Sequence, residues 1–156
     1  TDLNHLVSTT LVVARNEYRD VADVVTDLDA DLPPVACVPS EVNQVILTIV
    51  VNAAHAIADR VTGTSGRGTI SVRTRAAGTP THPAVEIVVA DDGGGIPDDV
   101  LPRIFDPFFT TKAVGRGTGQ GLSMAHAIVT TRHRGRISVT TTPGEGSEFV
   151  VRLPLT

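Results

Sequence analysis

The chain has 156 residues, of which 41% are hydrophobic and only 3% aromatic, with no tryptophan. That is enough apolar material for a single domain over residues 1–156, with a core of Val, Ile, Leu and Ala suited to mixed α/β layers. A net charge of -4 excludes the basic footprint that binding to a phosphate backbone requires, so no nucleic acid partner is expected.

Asp2, a good N-cap residue, precedes apolar positions at Leu3, Leu6, Val7, Leu11 and Ala14, which is helical spacing. Residues 24–28 and 35–38 are short, rich in β-branched side chains and bounded by Asp or Pro, and they predict two strands. The second contains Cys37, the lone cysteine, which cannot form an internal disulfide and reads as a small core side chain. A long helix is predicted over 40–60, capped by Ser40 with Glu41 favourably placed for the dipole. Residues 69–75 alternate Ile70, Val72 and Thr74 against polar neighbours, and 84–90 form an apolar run, so both predict strands. From 91 to 121 glycines and prolines dominate, and a long functional loop is expected. A third helix over 122–132 and a hairpin of 137–140 with 149–153 complete the chain. No uninterrupted apolar run approaches the roughly 18 residues needed to span a bilayer, and the N-terminus lacks a signal pattern. A soluble, cytoplasmic domain is expected, compatible with a membrane-anchored parent.

Three constellations carry chemistry. On the long helix, Gln44, Thr48, Asn52, His55 and Asp59 form a narrow polar stripe opposite the face of Val42, Val45, Ile46, Ile49, Val50, Ala53, Ala56 and Ile57. The stripe lacks Lys, Arg and Glu, the usual solvated-face residues, and Asn52 is a neutral oxygen donor suited to Mg²⁺. Next, an apolar strand delivers Asp91 into Asp92-Gly93-Gly94-Gly95-Ile96, where a carboxylate can accept from an exocyclic amine such as that of adenine. Last, Gly115-Arg116-Gly117-Thr118-Gly119-Gln120-Gly121-Leu122 runs into a helix N-terminus, a geometry suited to phosphate. The Gly-Lys-Ser/Thr ending of the common phosphate loop is missing. Between the last two lies Phe105-Asp106-Pro107-Phe108-Phe109-Thr110-Thr111-Lys112, a loop whose rings can anchor a cover and whose Lys112 is a point charge for a phosphate.

Together these stretches resemble the catalytic ATP-binding domain of sensor histidine kinases, within the gyrase, heat-shock chaperone, histidine kinase and mismatch-repair ATPase superfamily. Asn52-Ala53-Ala54-His55-Ala56 is similar to its asparagine box, Asp91 to Ile96 to the first glycine box, Phe105 to Lys112 to the phenylalanine box, and Gly117 to Leu122 to the second glycine box. The resemblance implies a two-layer α/β sandwich, a mixed sheet of about five strands with about three helices on one face, and ATP held under a loop lid. It implies that Asn52 ligates Mg²⁺, that Asp91 binds the adenine amine, and that the backbone at Gly93, Gly95 and Ile96 admits the base. Phe109, Lys112, Gly115, Arg116 and the loop Gly117, Thr118, Gly119, Gln120, Gly121 and Leu122 would then meet the nucleotide, with His55 near the phosphates. Ser147, on the closing strand, would support Asp91. The partners implied are ATP or ADP, the parent's own dimerisation and phosphoacceptor segment, and a response-regulator receiver domain. The isolated domain would be a monomer and the full-length parent a homodimer.

Thr48 departs from the family, which usually has Asn four residues before the metal ligand, whereas hydrolysing superfamily members tend to have Glu there. A hydroxyl is no general base for water, so transfer to a histidine is favoured over hydrolysis. An ATP-gated clamp and an anti-sigma-type serine/threonine protein kinase share the same boxes and stand as alternatives.

Overall fold

The computed structural model describes residues 1–61, 66–106 and 121–155. Five strands, β1 (Ala22–Asp27), β2 (Gly68–Gly78), β3 (Pro83–Asp91), β4 (Arg136–Thr142) and β5 (Gly146–Pro154), form one sheet in the order β1-β2-β3-β5-β4. Only β1 and β2 run parallel, and the other three pairings are antiparallel. The expected mixed sheet of five strands is therefore present, and it is not closed into a barrel.

Strand periodicity builds the core in rows, because alternate side chains share a face. Register aligns Val72, Val89, Phe149 and Val139 in one row, and Thr74, Ile87, Val151 and Ile137 in the next. Phe149, Val72, Val89, Ile87 and Val151 are buried there. The row that follows at the end of the sheet reads Ile70, Asp91, Ser147 and Thr141, so the apolar face turns polar at one edge. The opposite face carries a ladder in which Glu86 accepts from Arg75 at 2.7 Å and approaches Arg152 at 3.8 Å.

Helices α1 (Leu3–Val13), α2 (Arg15–Tyr18), α3 (Pro39–Val61) and α4 (Gly121–Ala127) accompany the sheet. Asp2 caps α1 as its residue type suggests, accepting from the His5 N–H at 3.1 Å. The α3 segment is rich in β-branched residues, which are mediocre helix formers. Propensity differences reach only about 0.7 kcal/mol per residue, whereas burying a Val or Ile side chain contributes about 1.5–3 kcal/mol. Packing decides, and Val42, Val45, Ile46, Ile49, Val50, Ala53, Ala54 and Ile57 are buried. Ala54 takes the buried place expected for Ala56. By length and composition α3 could cross a bilayer, but its apolar face is spent on this core.

Residues 35–38 form no strand. Pro33 and Pro34 precede them without N–H donors, and Val35 is tied instead to Thr1 through both of its backbone groups, at 2.9 and 3.0 Å. Ser40 is not the cap of α3 either. The helix starts at Pro39, whose fixed φ suits the first helical position, and the Val38 carbonyl accepts from Glu41 and Val42. The third helix over 122–132 divides into α4 and a π turn at Ile128–Arg132. His133, just beyond, joins this turn to the start of α3: its Nδ1 lies 3.0 Å from the Ile128 carbonyl, and its Nε2 accepts from Val38 N–H at 3.1 Å. Arg132 pairs with Glu41 at the same junction.

His133→Ala removes both bonds of this joint and is expected to lower stability by about 1–2 kcal/mol. Urea denaturation measures it, and an unchanged midpoint would show that the imidazole bridge is not structural.

Candidate functional site

The polar row at the sheet edge is where the predicted residues gather. Asp91 ends β3 on the helix-facing side, in line with Val85, Ile87 and Val89 of the core. Its Oδ1 accepts from Gly93 N–H at 2.9 Å. Burial pushes its carboxyl up from the ordinary 3.8 to about 6, and the charge of Asp92 adds to the rise, while the backbone N–H groups of Gly93 and Ser147 pull the other way. The adjacent Asp92 has a different task. It accepts from Thr69 N–H at 2.9 Å and meets Arg60 at 3.6 Å, tying the end of α3 to the start of β2.

The glycine turn fits against its surroundings too closely for a larger residue. A Cβ on Gly93 would lie 2.8 Å from the Ala56 backbone of α3, and one on Gly95, where φ is +73°, would lie 2.5 Å from the Thr142 carbonyl oxygen. Ile96 donates its N–H to Thr141 Oγ1 at 2.8 Å. Ser147 is buried and pairs in register with Asp91, but its hydroxyl bonds Thr141 Oγ1 at 2.9 Å, and its support for the carboxylate comes from its backbone N–H. Thr141 thus holds both the glycine turn and Ser147, a role the motifs did not suggest. Continued alternation along Ile137, Val139 and Thr141 would have pointed to it.

The stripe on α3 passes between the two glycine segments. Gly93 packs on Ala56 near one end, and at the other Gly121, which opens α4, would bring a Cβ to 3.1 Å from Thr48 Cγ2. Asn52 lies midway between them, half-buried like Thr48 and His55, while Gln44 and Asp59 are exposed. Gln44 reaches Thr48 Oγ1 at 3.5 Å. Leu122, the second residue of α4, packs on the core, as does Ile96. Phe105 packs there too, its ring 5.0 Å from that of His126 on α4, so the phenylalanine segment is anchored where it begins. Phe109, Lys112, Gly115, Arg116, Gly117, Thr118, Gly119 and Gln120, and with them most of the expected lid, lie outside the described residues.

Comparison with known proteins gives this fold and site a family. Residues 37–156 match the family described as Histidine kinase-, DNA gyrase B-, and HSP90-like ATPase. The chain belongs to this ATPase family. It is similar to the two-component sensor PprA of Pseudomonas aeruginosa, at 44% identity over 74% of the chain and 12% of the relative. It is similar also to the signal transduction histidine-protein kinase AtoS of Escherichia coli, at 36% identity over 98% of the chain and 23% of the relative. Among solved structures, the catalytic domain of histidine kinase ThkA superposes with a TM-score of 0.78 at 28% identity, covering 99% of this chain and 95% of that one. The chain spans about an eighth to a third of the length of the curated relatives it matches. It is a histidine kinase-type ATPase catalytic domain, and binding of ATP follows from that membership.

The raised carboxyl of Asp91 has a sign that can be checked. Its protonated form is favoured in the folded state, so its contribution to stability is complete below about pH 3.8 and is lost as pH rises through about 6. Asp91→Asn carries no charge to desolvate. Without nucleotide, its stability relative to the wild type is expected to increase between about pH 4 and pH 7. Parallel urea titrations at the two ends of that range test this, and a constant difference would contradict it.

Proposed function

We propose that this chain is the ATP-handling part of a sensor histidine kinase, donating the γ-phosphoryl of ATP to a histidine on a dimerising helical segment elsewhere in the parent protein. The observation that carries the reading is the Asp91 corner. There a carboxylate that burial makes costly to ionise stands beside a glycine turn pressed against α3. An adenine amine donating to Asp91 replaces lost hydration with a charge-assisted bond, and the docking of Gly93 on Ala56 and of Gly95 on Thr142 holds the turn beside it, with open space at Gly94.

Asn52 fits Mg²⁺ as a single neutral oxygen ligand, since this ion keeps several waters and takes its remaining oxygens from phosphates. Mg²⁺, when bound, offsets charge on the phosphate oxygens. His55, one turn along α3, and Lys112, Arg116 and the loop 117–121 are assigned to the phosphates. Thr48, next to Gly121, has no basicity with which to activate water, which favours transfer to a positioned nucleophile over hydrolysis. ThkA has been solved in complex with the response regulator TrrA, and this supports a receiver domain as the parent's downstream partner. The isolated chain is proposed to be a monomer and its parent a homodimer.

Asp91→Asn is expected to weaken ADP binding by about ten- to a hundredfold at neutral pH, the worth of one charge-assisted hydrogen bond. Calorimetry showing undiminished affinity would remove Asp91 from the adenine site. Asn52→Ala is expected to abolish the Mg²⁺-dependent part of ATP affinity while sparing metal-free ADP binding. If Mg²⁺ still strengthened ATP binding as in the wild type, Asn52 would not be the ligand.

Transfer itself is tested with γ-labelled ATP and Mg²⁺. The isolated chain should acquire no label and release little phosphate, and acid-labile label should appear on the parent's helical segment when that is added. Rapid phosphate release would favour an ATP-gated clamp, and acid-stable label on a separate protein would favour a serine/threonine kinase.

A further inference from the structure

The end of the sheet remote from Asp91 holds a second feature. A cleft of about 540 Å³ opens between the β2–β3 turn and the segment entering β4, lined by Gly78, Thr79, His82, Arg134, Arg136 and Arg152 among others. Three arginines line it in a chain whose net charge is -4. Arg136 and Arg152 stand directly opposite one another in the β4–β5 register, a like-charge cross-strand pair that is unfavourable unless something neutralises it. Among the described residues, the carboxylate that pairs with this set is Glu86, 3.8 Å from Arg152, and Arg75 holds it more closely at 2.7 Å. Arg75, Arg134, Arg136 and Arg152 against this one carboxylate leave an excess of positive charge.

The third arginine stands in a strained conformation. Arg134 has φ +53°, and it is the only residue other than glycine with a positive φ among the described residues. The chain reaches this point through the π turn, whose Val129 carbonyl accepts from Gly135 N–H at 2.8 Å. At Gly135 the backbone comes so close that a Cβ would lie 2.1 Å from the Arg152 carbonyl oxygen. Glycine at 134 would relieve the strain, yet the position carries a long cation set beside Arg152. The left-handed turn ends the helix and delivers Arg134 to the rim of the cleft.

We propose that this cleft is a second anion site, taking a dianionic oxyanion such as a phosphate monoester. Guanidinium forks match phosphate oxygens two at a time, and a dianion offsets more of the uncompensated positive charge than a single carboxylate would. The free phosphate ion and a small phosphorylated metabolite share this chemistry. The site is independent of the nucleotide site, which lies at the other end of the sheet.

The test is a titration of the amide NMR spectrum of the 156-residue chain, saturated with ADP to block the nucleotide site, with inorganic phosphate, glycerol phosphate or acetate. Saturable shifts are expected at Gly78, Thr79, Gly135 and Arg136 with both phosphates, and tighter binding of glycerol phosphate would identify the ester as the ligand. Arg136→Gln and Arg134→Gly should each weaken phosphate binding about tenfold, the effect of losing one charge-assisted contact. Arg134→Gly should also keep or raise the melting temperature and leave ADP affinity unchanged, so loss of binding cannot be put down to unfolding. Absence of saturable shifts at these amides, equal shifts with acetate, or undiminished binding in both variants would overturn the proposal. Failure of ADP to bind at all would instead count against the nucleotide site, and the phosphate titration reads the cleft separately.

Discussion

Burial of one face of α3 against β2 and β3 fixes where the rest of this domain can stand. The helix has to satisfy a dry sheet along Val45, Ile46, Ile49, Val50 and Ile57 and still present Thr48, Asn52 and His55 along another stripe. Because each side chain's direction follows from the helical repeat, placing the apolar face sets the azimuth of the polar one to within a fraction of a turn. The glycine turn after β3 then docks on Ala56, and the start of α4 docks beside Thr48. Site and core are thus two faces of one rigid object, and a shift of α3 would move them together.

The sheet supplies the second half of the arrangement through its last row. Apolar rows give way to Asp91, Ser147 and Thr141, held in register by backbone pairing rather than by side-chain preference. Burial makes a carboxylate there costly to ionise. A donor placed against that carboxylate, as proposed for the adenine amine, would offset the cost.

Much of this was legible in the sequence where local periodicity and tertiary packing agree. The alternation of Ile70, Val72 and Thr74, the amphipathic run from Val42 to Ile57, and the terminal hairpin all appear as read, since one burial face explains each pattern. The motifs drew attention to Asp91, Gly93, Gly95 and Asn52, and the fold brings the first three into one corner with Asn52 on the helix beside it. The strand expected at 35–38 failed because composition says nothing about whether a partner edge exists, and Val35 found Thr1 instead. Ser40 lost the capping position to backbone geometry set by Pro39. Thr141 and Asp92 went unassigned because their roles are hydrogen bonds to main-chain atoms distant in sequence, which leave no short motif.

The one parallel pairing carries a consequence of its own. β2 and β3 are joined by the four residues 79–82, and β4 and β5 by 143–145, so these hairpins close with little loss of chain entropy. β1 reaches β2 only after a crossover that includes all of α3. β1 thus precedes its partner strand by some forty residues. The β1–β2 pairing must therefore close a far longer loop than either hairpin, and it carries a larger entropic cost than they do.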